Sequence, residues 1–244
     1  MPIQVIEYET LPSTMDEATR LREAGEAMPF AVLAREQSAG IGRNGRAWYS
    51  PPGGLWLTAV WPTQGAGTRA PSAGLVVGLA VAETLHSLYG LTPRIKWPND
   101  ILLADRKVAG ILCRLEAGSS ALHIGIGINA DFPAWKLGEN LRQPPTTLRE
   151  HLHAAVDLVE LRAALLDQLE ALLTEADRSG FAPFLPHVRR RLAWRGSDIA
   201  FHANGDPVRG RLADIDEHGA LIVVGEDAMR SFMAGEVERL EKRG

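Results

Sequence analysis

The 244-residue sequence contains one cysteine, Cys113, which excludes an internal disulfide framework and any zinc site built on several thiolates. It has no G-x-x-x-x-G-K-[ST] segment, so a P-loop nucleotide enzyme has no support, and neither H-E-x-x-H nor G-x-S-x-G occurs. The longest apolar run, residues 73–82, stops at Glu83, short of the ~20 residues that cross a bilayer. At the N-terminus acids come early and no basic start precedes an apolar stretch. No signal peptide is read there, and a cytoplasmic protein without a membrane partner is expected. Basic charge is in deficit: 26 Lys and Arg face 30 Asp and Glu, a formal charge of −4, which argues against a protein that coats DNA. Small anionic ligands stay open, because local clusters can be basic on an acidic chain. The seven histidines are dispersed, and His151 and His153, two apart, do not share a helical face.

What the chain has is enough length for a sizeable core. Folding at this size buries about 70 to 75% of the unfolded surface, with one domain and an appendage, or two domains, as the expected organisation. Ser13 and Thr14 precede Met15, Ala18 and Leu21 at helical spacing, with Asp16 three residues after Ser13. That is a capped helix start, and the helix should end near Gly25. Residues 30–37 read as extended. Residues 55–61 alternate, with Leu55, Leu57, Ala59 and Trp61 on one face and Trp56, Thr58 and Val60 on the other. Between them residues 40–54 hold no period and read as a long ordered loop, a class that is usually functional. Pro71 opens an apolar helix to about Tyr89. From Arg94 a meander of strands follows, at 94–97, 101–103, 108–115 and 121–129, with a polar turn at Asp105-Arg106. Asp157 and Glu160 open a long amphipathic helix that ends at Gly180. Arg189-Arg190-Arg191 reads as a solvated helix face or linker. After Trp194, short strands at 199–201, 208–215, 219–224 and 229–233 are divided by turns at 204–207 and 216–219, a small all-β module.

Three constellations carry chemistry. Gly40-Ile41-Gly42-Arg43-Asn44-Gly45 has the spacing G-x-G-x-x-G, but two prolines and two glycines follow within ten residues, so no helix opens there as a dinucleotide fold requires. What remains is a loop with free amides and two guanidinium groups, Arg43 and Arg46: a phosphate cradle, or an ordinary glycine loop. Trp48 adds a flat surface for an adenine. The second is Lys96-Trp97-Pro98-Asn99-Asp100 with Asp105-Arg106-Lys107-Val108-Ala109-Gly110. Pro98 fixes an extended kink from which Asn99 and Asp100 project. Lys107 either neutralises a carboxylate and then a phosphate or is a turn-flanking surface charge, and Asp100 either caps a turn or holds Mg²⁺ or a ribose. Third, Gly125-Ile126-Gly127-Ile128-Asn129 places glycines inside a strand, which marks close approach of another backbone or a ligand, or a bulge.

Together these segments resemble the biotin protein ligase family. Ser13-Thr14, Gln37-Ser38-Ala39-Gly40 through Trp48, Ser50-Pro51, Gly54-Leu55-Trp56, residues 96–100, 107–110 and 125–129 stand in family order across residues 8–130. Gly210, Gly219-Ala220-Leu221 and Gly235-Glu236 look like the family's small C-terminal domain. The resemblance implies an α+β fold. A mixed-sheet catalytic domain with flanking helices would span residues 1–193, and an SH3-like all-β domain residues 194–244. It implies a two-step ligase: biotin and Mg·ATP give biotinyl-5′-adenylate and pyrophosphate, then a lysine of a biotin carboxyl carrier domain displaces AMP. By the same resemblance Ser13, Thr14, Met15, Gln37, Gly40, Ile41, Gly42 and Gly110 belong to the biotin site, with Gly110 allowing backbone approach to biotin. Arg43 and Lys107 would hold carboxylate and α-phosphate, and Trp48 would cover the adenine. Arg46, Lys96, Asn99, Asp100 and Asn129 would help place triphosphate, metal or ribose, with Asp100 the candidate Mg²⁺ ligand. Two departures stand out: Ile41 replaces a usual arginine, and Met15 a usual asparagine. Only twelve residues precede Ser13, so the resemblance is to the monofunctional type, without DNA as partner. A homodimer is left open. So are a lipoate or octanoate ligase of the same fold and a non-catalytic biotin-adenylate sensor.

Overall fold

The computed structural model describes residues 2–63, 72–116, 120–137, 144–203 and 206–239. Its first sheet has seven strands: β1 (Gln4–Leu11), β2 (Phe30–Gln37), β3 (Leu55–Pro62), β4 (Arg94–Lys96), β5 (Asp100–Leu103), β6 (Arg106–Leu115) and β7 (Ala121–Ile128), in the order β1-β2-β3-β7-β6-β5-β4. The first two are parallel, joined across α1 (Thr14–Glu23); every other neighbour is antiparallel, so the sheet is mixed. The expected meander is the run β4 to β7. β1 was not expected, and its burial explains why: it is a half-exposed edge strand with acidic residues along it, too irregular to show a period of two.

Alternation along β7 separates the two faces. Leu122, Ile124, Ile126 and Ile128 enter the main core, and His123, Gly125 and Gly127 point the other way. β3 divides as its sequence predicts, with Leu55, Leu57, Ala59 and Trp61 in the main core. That core is covered by α2 (Ser72–Tyr89) and α4 (Leu158–Ser179), which pack on one another. α2 is apolar enough by composition to cross a membrane, yet here it is the central core helix, with its residues from Leu75 to Ala82 nearly all buried. Pro71, the expected start of this helix, lies outside the described residues. Asp157 caps α4, accepting from the amides of Val159 at 2.8 Å and Glu160 at 3.1 Å. On the opposite face α1 packs against β2, β3 and β7.

α3 (Leu148–Leu152) and α5 (Leu185–Arg191) complete the helices. The three arginines ending α5 are not a solvated face. Arg189 donates to Asp214 at 2.9 Å and Arg191 to Glu83 at 3.1 Å, so two of them tie the helix to its neighbours. The second sheet contains β8 (Asp198–Ala203), β9 (Asp206–Ile215), β10 (Leu221–Val224), β11 (Met229–Phe232) and β12 (Glu238–Arg239), in the order β11-β10-β9-β8-β12. Part of the expected 204–207 turn lies outside the described residues. Ile199, Phe201, Leu212 and Val223 join the same core as the first sheet, and Trp97 Nε1 donates to Gly219 O at 2.9 Å. The second sheet is thereby fastened beside the β4–β5 hairpin.

Candidate active site

The face of the sheet away from the main core is floored by small residues. Thr58 on β3 pairs with Gly125 on β7, and Gly110 on β6 pairs with Gly127. Two side chains descend on this floor. A Cβ at Gly125 would come 2.9 Å from Met15 Cε, and one at Gly127 would come 2.5 Å from Trp48 Nε1. Trp48 also lies 2.9 Å from a Cβ position on Gly110. Glycine is needed at these strand positions because of that approach. The indole of Trp48 lies over Gly110 in this structure, so the backbone approach to biotin expected there requires Trp48 to move. An approaching backbone or ligand was the reading for Gly125 and Gly127 too, and side chains of the same molecule fill the role.

Above the floor a cavity of about 610 Å³ remains, lined by every expected site residue except Lys96. One end is neutral. Gln37 Oε1 accepts from the Thr14 amide at 2.8 Å and Thr14 Oγ1 at 3.0 Å, and Gln37 Nε2 donates to Ser50 Oγ at 2.7 Å. Ser50 in turn donates to Trp48 O at 3.1 Å, and Thr14 Oγ1 lies 2.9 Å from Thr58 Oγ1. Ser13 caps α1, accepting from Asp16 N at 3.4 Å, while its residue lines the cavity, so the capping and pocket roles coexist. Thr58 and Ser50 were given no site role by the sequence, although Ser50 stands in a family motif. A threonine in the middle of an otherwise apolar, fully buried strand is the signal that could have found the first.

The other end is charged. The turn before β5 is tied to β6 from both sides, by Ile111 N to Asn99 O at 2.9 Å and Asn99 Nδ2 to Ile111 O at 2.9 Å. Asp100, first in β5, thereby stands between two lysines: Lys107 Nζ is 2.6 Å from Oδ1, and Lys96 Nζ is 3.8 Å from Oδ2. Lys96 is buried behind the carboxylate, over the Trp194 ring, and burial pushes its ammonium below the usual lysine range although Asp100 opposes this. Lys107 lines the cavity, 4.9 Å from the Trp48 ring centroid. Its backbone is clamped: Lys107 N donates to Pro144 O at 2.7 Å and Thr146 N to Lys107 O at 2.9 Å. Arg43 reaches in from the glycine loop, donating through Nη1 to Asn99 Oδ1 at 3.1 Å and Gly235 O at 3.2 Å. Desolvation lowers the affinity of its guanidinium for the proton, and Asp100 and Glu236 counteract that. Arg46 stands at the rim, paired with Glu236 at 2.6 Å.

The glycine loop is ordered without a helix. Ile41 bridges to Ala47, a short 3₁₀ turn spans Arg43–Gly45, and a Cβ at Gly40 would run into Trp48 O. Ile41 occupies a bridge position facing the cavity, so no cation stands there. Two buried polar atoms in the site lack a partner among the described residues, Trp48 Nε1 and Asn129 Oδ1. An unsatisfied buried group costs about 1 to 3 kcal/mol, so Asn129 Oδ1, which lines the cavity, is available to a ligand donor. Asn129 is otherwise fixed, its Nδ2 donating to Thr146 O at 3.0 Å.

The donor set does not fit a protein-held metal. Asp100 is occupied by two ammonium groups, and no group of three or more His, Cys, Asp or Glu that could hold a metal occurs among the described residues. Asp100, the expected Mg²⁺ ligand, pairs with two lysines in this structure.

Comparison with known proteins fits this geometry. The description Biotin/lipoate A/B protein ligase family matches residues 8–131, and Biotin protein ligase C terminal domain matches residues 196–240. The biotin–[acetyl-CoA-carboxylase] ligase of Paracoccus denitrificans is 36% identical over 212 residues, covering 84% of this chain and 88% of that protein. The bifunctional ligase/repressor BirA of Escherichia coli is 31% identical over 209 residues, 85% of this chain, and the chain spans 65% of that relative's length. The biotin protein ligase from Aquifex aeolicus in complex with biotin and ATP superposes with a TM-score of 0.85 at 26% identity, over 98% of this chain and 99% of that one.

Proposed function

This chain belongs to the biotin/lipoate A/B protein ligase family, and from that premise we propose that it is an ATP-dependent biotin protein ligase. It forms biotinyl-5′-adenylate and then biotinylates a lysine on the biotin carboxyl carrier domain of a carboxylase, in the cytoplasm. The observation that carries the reading is the cavity's two-ended construction. The neutral end offers the fixed donors and acceptors that an uncharged ureido ring needs. The charged end holds Lys107 and Arg43 within one site, where a carboxylate and an α-phosphate must meet despite like charge.

In this mechanism Ser13, Thr14 and Gln37 orient the ring, and Met15 packs against it. The acyl chain runs over the glycine floor once Trp48 swings off Gly110 and Gly127 to cover the adenine. The carboxylate oxygen attacks Pα of ATP in line, and the bond to the bridging oxygen breaks with its electron pair leaving on pyrophosphate. Lys107 and Arg43 neutralise the charge that builds on the α-phosphoryl oxygens. Lys96 and Asp100 hold Lys107 in place from behind, and Asn129 Oδ1 accepts from the nucleotide. Mg²⁺ enters as part of the substrate Mg·ATP. Closing of the glycine loop keeps the mixed anhydride from water until the carrier lysine arrives.

The test is biotin-dependent exchange between ATP and pyrophosphate, run beside the same assay with lipoate and octanoate, followed by transfer to an apo carrier domain. Exchange with biotin and labelled carrier are expected. Exchange with lipoate alone would replace the reading by a lipoate ligase, and adenylate without transfer by a sensor.

A further inference from the structure

Retaining an adenylate under a closed loop raises a traffic problem: pyrophosphate must leave while the adenylate stays. On the far side of the glycine loop lies a second cleft of about 960 Å³, between that loop and the second sheet. Arg43, Asn44 and Arg46 of the loop, together with Glu236, line both this cleft and the active cavity and form a shared wall between them. Across the cleft β8 supplies His202 and β9 supplies Arg209, both exposed. Arg209 makes no ion pair among the described residues, whereas Arg46 is bound to Glu236. Arg43 uses only Nη1 in its two hydrogen bonds, leaving other guanidinium N–H groups of the same residue to face an anion.

We propose that this cleft is a pyrophosphate exit site, resting on the ligase reading above. Pyrophosphate, released when the Pα–O bond breaks, passes from Arg43 to Arg209, which line the same cleft, while the adenylate stays behind the loop. Arginine suits the task because its planar fork pairs with phosphate oxygens. The carboxylates Glu236 and Glu238, which line the same cleft, hold the affinity down, which suits a path that must empty after each turnover. By microscopic reversibility the same path admits pyrophosphate when bound adenylate is converted back to ATP and biotin.

The experiment uses the full chain with biotinyl-adenylate preformed on it and chased with inorganic pyrophosphate. Arg209→Glu is expected to lower the second-order rate constant for pyrophosphate roughly tenfold, and Arg209→Ala by less, because steering by a local charge acts on association. The wild-type rate should also fall more steeply with salt than either variant's. KM for biotin and the transfer rate to a carrier domain are expected to stay unchanged, with unaltered melting curves confirming the fold. A pyrophosphate rate constant within twofold of wild type in both variants would overturn the exit. Slowed carrier transfer with normal pyrophosphate kinetics would also overturn it, and assign the cleft to the carrier. If the wild-type protein forms no adenylate at all, the ligase reading itself fails and the exit with it, a result separable from either of these.

Discussion

The two ends of the active cavity solve the same problem, placing polar groups inside a protein, in opposite ways. At the neutral end Thr14, Gln37, Ser50 and Thr58 satisfy one another, so the polar groups are desolvated and paired by the fold itself and present a rigid template. At the charged end Lys96, Lys107 and Arg43 converge on one buried carboxylate, Asp100, with Glu236 opposing the charge of Lys96 and Arg43, so an entering anion meets several cations at once. The first arrangement selects a shape. The second stores electrostatic work for the step in which charge moves.

The widest separation between the ends should come from Lys107→Ala. Removing a cation poised at developing charge costs about 2.7 to 4 kcal/mol, or roughly 10²- to 10³-fold in adenylate formation. Stability should change little, since Lys96 remains beside Asp100. Single-turnover adenylation with a melting curve checks it; near-normal rates would make Lys107 a surface charge after all.

At the neutral end Gln37→Leu should act on binding instead. It leaves the Thr14 amide without a partner and removes one of two partners from the Thr14 and Ser50 hydroxyls, which keep Thr58 Oγ1 and Trp48 O. At about 1 to 3 kcal/mol for buried unpaired groups, KM for biotin should rise roughly 5- to 150-fold while KM for ATP stays put. Equal loss in both constants would show that the ends are not separate devices.

How much of this division the sequence disclosed depends on how local each signal was. The cation and glycine motifs were legible because their chemistry is carried by contiguous residues: 40–46, 96–100, 107–110. Gln37 and Thr14 come from distant segments and were recognised through family resemblance alone. The roles of Thr58 and Ser50 were not legible because their partners lie 44 and 13 residues away in the chain, on Thr14 and Gln37. The position of Trp48 on Gly110 and Gly127 depends on loop closure in three dimensions, which no spacing encodes. In the fold, strong periodicity gave the meander and α4, while the edge strand β1, with its weak alternation, did not register.

A buried histidine stands on the strand that floors the neutral end. His123 shares the face of β7 with Gly125 and Gly127, is buried, and carries a ring nitrogen, Nδ1, without a partner among the described residues. Desolvation chiefly lowers its pKa from 6.5, helped by Arg22 and Arg114 and opposed by Glu116. The unfolded chain therefore takes up this proton at higher pH than the native protein, and stability falls as pH drops from about 6.5 towards the native value. His151 is shifted in the same direction, mainly by desolvation, so the comparison must be between proteins. His123→Phe should flatten the decline in urea midpoint between pH 7.5 and pH 5. An unchanged slope would place the acid sensitivity elsewhere.

The smallest expected effect on stability belongs to the rim of the charged end, and it sharpens the contrast because the same charges stand there in water. Arg46 pairs with Glu236 at 2.6 Å, closer than Lys96 to Asp100, but with side chains 52% and 32% exposed. Exposed pairs contribute about 0.2 to 1 kcal/mol, and salt screens them, so a double-mutant cycle of Arg46→Gln and Glu236→Gln should show a coupling in that range that fades at high salt. For a chain of this size it corresponds to no more than about 2 to 4 °C in melting temperature. The pair's consequence lies in motion: it joins the glycine loop to the second sheet, so each single variant should release biotinyl-adenylate into solution a few-fold faster without slowing its synthesis. Unchanged retention, measured by filter binding, would mean that the loop stays closed through Arg43 on Asn99 and Gly235 alone, and that proximity of opposite charges at the rim does nothing that the buried end has not already secured.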